Sequence, residues 1–155
     1  MNSAIASYEE RIEAMTKVPL FSRVGRRDLE RIAAVATERR FGAGENIVTQ
    51  EEEGDSMYVI MEGEAEVLDW DSSVAKLHPG DFLGEMAVLR RIPRSATVRA
   101  TTDVKALRLT QWDLDAELRN SPAVAVHMLV SMSNRLHSAN LEIARLTDAL
   151  RTEID

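Results

Sequence analysis

GDFLGEMAVLRRIPRSATVR, residues 80–99, is the stretch on which the reading of the whole chain turns. A turn at Pro79-Gly80-Asp81 leads through Phe82 and Leu83 to Gly84, where the missing side chain allows a ligand to approach the backbone closely. Glu85 to Leu89 suit one short helical turn, and the first amides of such a turn point outward unpaired, ready for an anion. Pro93 fixes the entry to a strand, and Arg94 stands at its start, ahead of the alternating Ser95, Ala96, Thr97 and Val98. Glycine, free amides and one arginine together describe a pocket for a single phosphate. Glu85 needs a different partner, since a carboxylate repels a phosphate but accepts a hydroxyl proton, and a ribose 2′-hydroxyl supplies one.

On either side of this stretch the texture is that of short β segments between glycines and acidic turns. From Phe41 to Leu109 the clearest are Asn46 to Thr49, Ser56 to Met61, Glu64 to Leu68, Ser95 to Ala100 and Val104 to Leu109. Gly42-Ala43-Gly44, Glu53-Gly54-Asp55 and Glu62-Gly63-Glu64 punctuate them. Many short strands at this spacing predict an antiparallel roll or barrel. Further out the period becomes helical. Ile5, Tyr8, Ile12 and Met15 share a face over Ser3 to Thr16, and Leu29, Ile32, Ala33 and Ala36 do so over Asp28 to Thr37. After the strands, Thr110 to Asp113 forms a capping-box-like start, and Ser121-Pro122 a second, with serine as N-cap and proline at the first helical position. One helix of about thirty residues follows, near 45 Å long. The organisation expected is a helical segment over 1–38, a β-roll over 39–110 carrying the cassette 80–99, and helices over 111–155, all one domain.

Bulk properties narrow the function. A formal charge of −7 over 155 residues argues against general binding to nucleic-acid backbones, though not against one local basic pocket. With no cysteine there is no disulfide framework and no thiolate metal site. His78, His127 and His137 do not stand at metal-ligand spacing, so no metal is expected. The amino terminus lacks a secretory pattern, and the apolar run from Ala123 to Val130 is too short to span a bilayer. The expectation is a soluble, cytoplasmic protein with no membrane segment.

The cassette resembles that of the cyclic-nucleotide-binding domain family, of the catabolite-activator and kinase-regulatory-subunit type. Phe82, Gly84, Glu85, Met86 and Ala87 match its first half; Pro93, Arg94, Ser95, Ala96, Thr97 and Val98 match its second, with Arg94 nine residues after Glu85. Gly54, Asp55, Tyr58, Ile60 and Gly63 resemble the strand–turn–strand preceding it, and the similarity runs from Val18 to Leu136. The resemblance implies a mainly β fold: an antiparallel, jelly-roll-like roll (a double-stranded β-helix) of about eight strands, flanked by N-terminal helices and a long C-terminal helix. It implies a regulatory sensor, not an enzyme. In it Glu85 accepts the ribose hydroxyl, Arg94 pairs with the cyclic phosphate, and the amides of Glu85, Met86, Ala87 and Ser95 complete the cradle beside Gly84 and Ala96. Leu83 and Val98 line ribose and base. Cyclic AMP is the implied ligand, with cyclic GMP the alternative, because the Ser95 hydroxyl can also meet a guanine amino group. A metal-dependent enzyme on a similar roll would need clustered ligands that this sequence lacks. Arg90 and Arg91, unusual for the family in this loop, read as solvated.

Leu129, Leu136, Ile143 and Leu150 repeat every seven residues, with Met132, Ala139 and Leu146 between them. That is an a/d seam over about three heptads, and it predicts a parallel homodimer through the last helix. By analogy with relatives, Arg135, Ala139 and Asn140 fall near the base; alanine has no hydroxyl to offer, which leaves Asn140 and Arg135 as the candidates. No DNA-binding helix-turn-helix is apparent. The output is expected through an unidentified downstream effector, with this chain an adaptor, the regulatory part of a longer transcription factor, channel or enzyme, or a family member retained as a structural or dimerisation module.

Overall fold

Strands β3 (Ser56–Glu62) and β8 (Val104–Thr110) are apolar on both faces because both faces are covered. The computed structural model describes residues 2–154, with side chains described from Tyr8 onward, so Ile5 lies outside the described side chains. β8 pairs antiparallel with β3, and β1 (Thr37–Phe41) and β6 (Phe82–Leu83) complete a sheet in the order β1-β8-β3-β6. The second sheet runs β2-β7-β4-β5, from Asn46–Val48, Thr97–Ala100, Ala65–Asp69 and Ser72–Leu77. All pairings are antiparallel, and the eight strands in two sheets form the roll anticipated from the turn spacing.

Side-chain alternation separates two cores. Ile60, Leu83, Val104 and Ala106 face Ile47, Ala65, Leu77, Val98 and Ala100 inside the roll. Met57, Val59, Phe82, Leu107 and Leu109 point the other way and pack on Ile12, Met15, Phe21, Ile32, Leu114 and Met128 of the helical layer. Phe82 and Leu83, adjacent in sequence, therefore belong to different cores.

The helices are α1 (Asn2–Thr16), α2 (Arg26–Val35), α3 (Glu85–Arg90), α4 (Gln111–Asn120) and α5 (Pro122–Ile154). α2 stops two residues short of the Thr37 expected for it, because β1 begins there as an edge strand against β8. Thr110 caps α4 as anticipated: its Oγ1 accepts from the Asp113 amide at 3.2 Å and donates to Asp113 Oδ2 at 2.8 Å. Ser121 does not cap α5 in the expected way. Its amide donates to the Glu117 carbonyl, closing α4, and its own carbonyl accepts from Val124 and Ala125. Its hydroxyl is fully buried without a hydrogen-bond partner. One residue ends one helix and begins the next, and that double duty turns the side chain inward.

Arg31 of α2 and Glu117 of α4 form a bidentate pair, both contacts 2.8 Å, with the Glu117 side chain only 4% exposed. The bond to Glu117 holds the Arg31 guanidinium above its ordinary value. The helical layer is thus pinned behind the first sheet. α5 buries Val124 and Met128 and then leaves the body; Leu136, Ile143, Leu146 and Leu150 are all exposed. Among the described residues no helix is long and apolar enough to cross a membrane.

Candidate functional site

The stretch from residue 80 to 99 folds into β6, then α3, then a loop entering β7. Gly84 is left-handed at φ 85°, which turns the chain from β6 into α3, and no side chain caps that helix start. At the other end Arg91, also left-handed at φ 53°, closes α3. The strand anticipated from Ser95 begins only at Thr97, so Ser95 and Ala96 remain in the loop with Arg94.

Arg94 is the centre of the site. Its amide donates to the Glu52 carbonyl and its carbonyl accepts from the Glu51 amide, each at 2.9 Å, so two backbone bonds fix the loop to the turn before β3. The residue is 7% exposed, yet no carboxylate lies within ion-pair distance of its guanidinium among the described residues. Its one side-chain hydrogen bond, to the Gly84 carbonyl, is long at 3.3 Å. Burial lowers the guanidinium from its ordinary value, with the more distant charges of Asp55 and Glu85 acting against that shift. Two glycines make the seat. A Cβ on Gly54 would stand 2.2 Å from Arg94 Nε, and one on Gly84 would stand 2.6 Å from Nη1. Gly84 is needed as much for the arginine as for any ligand, a role the local sequence does not reveal.

Glu85, 8% exposed, is held from outside the cassette: Arg135 of α5 donates from Nη1 to Glu85 Oε1 at 3.1 Å. The same guanidinium donates from Nη2 to the Phe82 carbonyl and lies 4.4 Å over the Phe82 ring. Arg135, placed near a base by analogy, therefore meets the cassette's carboxylate and main chain, and Asn140 is exposed with no hydrogen bond to the cassette. Leu83, Ala87 and Val98 are buried, and Ala96 is half-buried. Met86 is 38% exposed, and the exposed Ser95 directs its hydroxyl at the Met86 sulfur, 3.7 Å away.

Residues that the motif did not single out complete the surroundings. Asp55 accepts from Ser56 Oγ at 2.7 Å and from Arg108 Nη2 at 3.2 Å, which together hold its carboxyl below the usual range. Arg108 sits opposite Tyr58 in the β3–β8 register, and its charge adds to the lowering at Arg94. The alternation of β8 carried a signal for it, since Arg108 shares the inward face with Val104 and Ala106. Arg94 and Arg108 therefore stand near one another, while the neighbouring carboxylates Asp55 and Glu85 are engaged by Ser56, Arg108 and Arg135. Two guanidinium groups beside the uncapped start of α3 are donors suited to an anion. Among the described residues no group of histidine and acidic side chains is gathered to hold a metal ion.

Comparison with known proteins agrees with this geometry. The family model described as cyclic nucleotide-binding domain matches residues 38–121. A cyclic nucleotide-gated potassium channel of Rhizobium etli is 38% identical over 113 residues, covering 73% of this chain and 32% of the channel. The crystal structure of Thermus thermophilus catabolite activator protein superposes with a TM-score of 0.73 at 28% identity, covering 83% of this chain and 63% of that one. The regulatory subunit of a cAMP-independent protein kinase A from Trypanosoma brucei superposes with a TM-score of 0.74, also at 28% identity, over 85% of this chain and 48% of that one. The chain spans only 19–33% of the length of the curated relatives compared. The match over more than half its length, on the segment that folds as roll and cassette, places this chain in the cyclic nucleotide-binding domain family.

Proposed function

We propose that this domain is a receptor for a cyclic purine nucleotide, cyclic AMP in preference to cyclic GMP. The observation that carries the reading is Arg94: a buried guanidinium with no carboxylate within ion-pair distance, beside the uncapped start of α3. A cyclic phosphate would supply the missing anion, bonding Arg94 and the amides of Glu85, Met86, Ala87 and Ser95. Glu85 Oε1 is taken by Arg135, so Oε2 would accept the ribose 2′-hydroxyl. Leu83 and Val98 supply apolar surface for the ribose and base. Ser95 is exposed in the loop, its hydroxyl 3.7 Å from the Met86 sulfur, and it keeps cyclic GMP as the alternative ligand. Two or three charge-assisted contacts at about 1.5–3 kcal/mol each, with an apolar base site, reach the roughly 8 kcal/mol of a micromolar ligand.

We read the charge, hydrogen-bond donors and apolar surface of this site as those of a receptor. A receptor for such a messenger would act in the cytoplasm. The signal leaves through α5, whose Arg135 touches the cassette and whose Leu136, Ile143, Leu146 and Leu150 form an exposed seam for a second copy of the chain. A downstream effector, covalently attached or separate, reads the change.

Calorimetric titration with cyclic AMP, cyclic GMP and 5′-AMP tests the reading. Cyclic AMP should bind with micromolar or tighter affinity and 5′-AMP much more weakly; no heat and no melting shift at millimolar cyclic nucleotide would overturn it. Sedimentation should show a dimer that weakens on dilution, and a chain stopped near Leu136 should be monomeric at every concentration.

A further inference from the structure

Among the described residues three that are not glycine hold left-handed backbone: Glu51 at φ 70°, Trp70 at φ 53° and Arg91 at φ 53°. Backbone strain of this kind gathers at ligand clamps. Glu51 donates to the Arg94 carbonyl, and Arg91 closes α3. Trp70 is 67% exposed, in the turn between β4 and β5. The β4–β7 register sets Leu68 opposite Thr97, so this turn lies at the end of the sheet where Ser95 and Ala96 lead into β7. Glu51 and Trp70 thus stand at the end of the sheet that carries Arg94, and Arg91 ends the cassette's helix.

A bulky aromatic is a poor occupant for a left-handed turn position, which glycine or asparagine fills with less strain. At this exposure Trp70 returns little core packing for that strain. Its backbone is nonetheless fastened to the cassette strand through one residue. Gln50 Oε1 accepts from the Trp70 amide at 2.7 Å, Gln50 Nε2 donates to Asp69 Oδ1 at 3.1 Å, and the Gln50 amide donates to Thr97 Oγ1 at 2.9 Å. Between cassette and turn, Val67 pairs in register with both Val98 and Ala75, so the three share one face of the sheet. Val98 is buried, Val67 half-buried and Ala75 exposed, an apolar row that crosses the sheet from β7 to β5 below the turn.

We propose that Trp70 is the aromatic partner of the nucleotide base, its indole stacking on the purine once the phosphate is seated at Arg94. The inference rests on the cassette's being a cyclic-nucleotide site and adds the feature that selects a two-ring base.

The test compares wild type, Trp70→Ala, Trp70→Gly and Trp70→Phe by calorimetry with cyclic AMP and cyclic CMP. Loss of one base–aromatic stack should weaken cyclic AMP by roughly 5- to 100-fold and narrow the preference over cyclic CMP, and phenylalanine should recover most of the loss. Trp70→Gly also relieves the left-handed strain, so it should melt at or above wild type while still losing affinity. The chain has two tryptophans, and Trp112→Phe leaves Trp70 alone to report, its emission changing as cyclic AMP saturates the site. Wild-type affinity and an unaltered base preference in Trp70→Ala and Trp70→Gly would overturn the inference and leave the cassette reading standing, as would unchanged emission from a saturated Trp112→Phe protein. A wild-type chain that binds neither nucleotide would overturn both.

Discussion

Replacing Arg94 with methionine separates the demands of the ligand from those of the fold. The guanidinium is buried with no carboxylate in ion-pair distance among the described residues, so the free fold bears a cost for desolvating it, the same burial that lowers its proton affinity. Because the shift lies far above neutrality, that cost is constant between about pH 5 and 9. Methionine is flexible and of similar bulk, so it should fill the seat over Gly54 with little void. The two backbone bonds that anchor the loop do not involve the side chain and should persist. The free variant should therefore melt at the wild-type temperature or a few degrees above it. Binding should move the opposite way. Losing the charge-assisted contacts to phosphate should cost about 2–4 kcal/mol, roughly 30- to 1000-fold in Kd. Differential scanning calorimetry with and without nucleotide reads both effects. At a hundredfold excess over the wild-type Kd, cyclic AMP should stabilise wild type by about 2.7 kcal/mol, a rise of roughly 5–11 °C, and the variant at the same concentration by about 0.9 kcal/mol at most, under roughly 4 °C. A variant that melts far below wild type would show Arg94 to be structural, and one that keeps its affinity would show that the phosphate lies elsewhere.

Glu85→Gln and Arg135→Gln should be non-additive in cyclic AMP affinity, with a coupling of about 1–2 kcal/mol in a double-mutant cycle, because the two side chains act as a pair. Additive losses would separate α5 from the ligand site, while a 2′-deoxy ligand should be nearly indifferent to Glu85→Gln. Arg31→Ala strands the buried Glu117 carboxylate and should lower stability by about 2–3 kcal/mol in chemical denaturation, the lower end of the range because Arg31 is 39% exposed. Ser121→Ala should raise the melting temperature by about 2–4 °C, since it removes a buried hydroxyl without a partner. Had that hydroxyl capped α5, the same change would lower it.

The cassette was legible in the sequence because two short elements at a fixed separation carry it, and because glycine, proline and arginine each impose a local geometry. What the local pattern could not carry was the setting. Gly54 is forty residues from Arg94, and only the fold shows that it leaves room for the guanidinium. Arg135 was placed near the ligand by its position on α5, but its actual partners, Glu85 and Phe82, depend on how α5 crosses the roll. β5 and β6 escaped notice for opposite reasons. β5 is exposed along Ser72 to Lys76 and has no alternating apolar face, while β6 is only two residues long and looks like part of a turn. Trp70 drew no attention because nothing in the spacing signals left-handed backbone at a tryptophan.

The way α5 leaves the body bears on what kind of signal it can carry. Beyond Arg135 its side chains are exposed, so about nineteen residues stand as a helix with only their own hydrogen bonds to hold them. A helix of that length is marginal in water. In a dilute monomer this half of α5 should interconvert between helix and coil, and its amides should exchange with deuterium far faster than those of β3 or β8. Pairing of two seams would suppress that melting, and so would any effector that lies along the seam. Arg135 stands at the last anchored turn, so breaking its grip on Glu85 would release another turn to fray. The cassette and the far end of α5 would then communicate through how much helix is formed, more than through the tilt of a rigid rod.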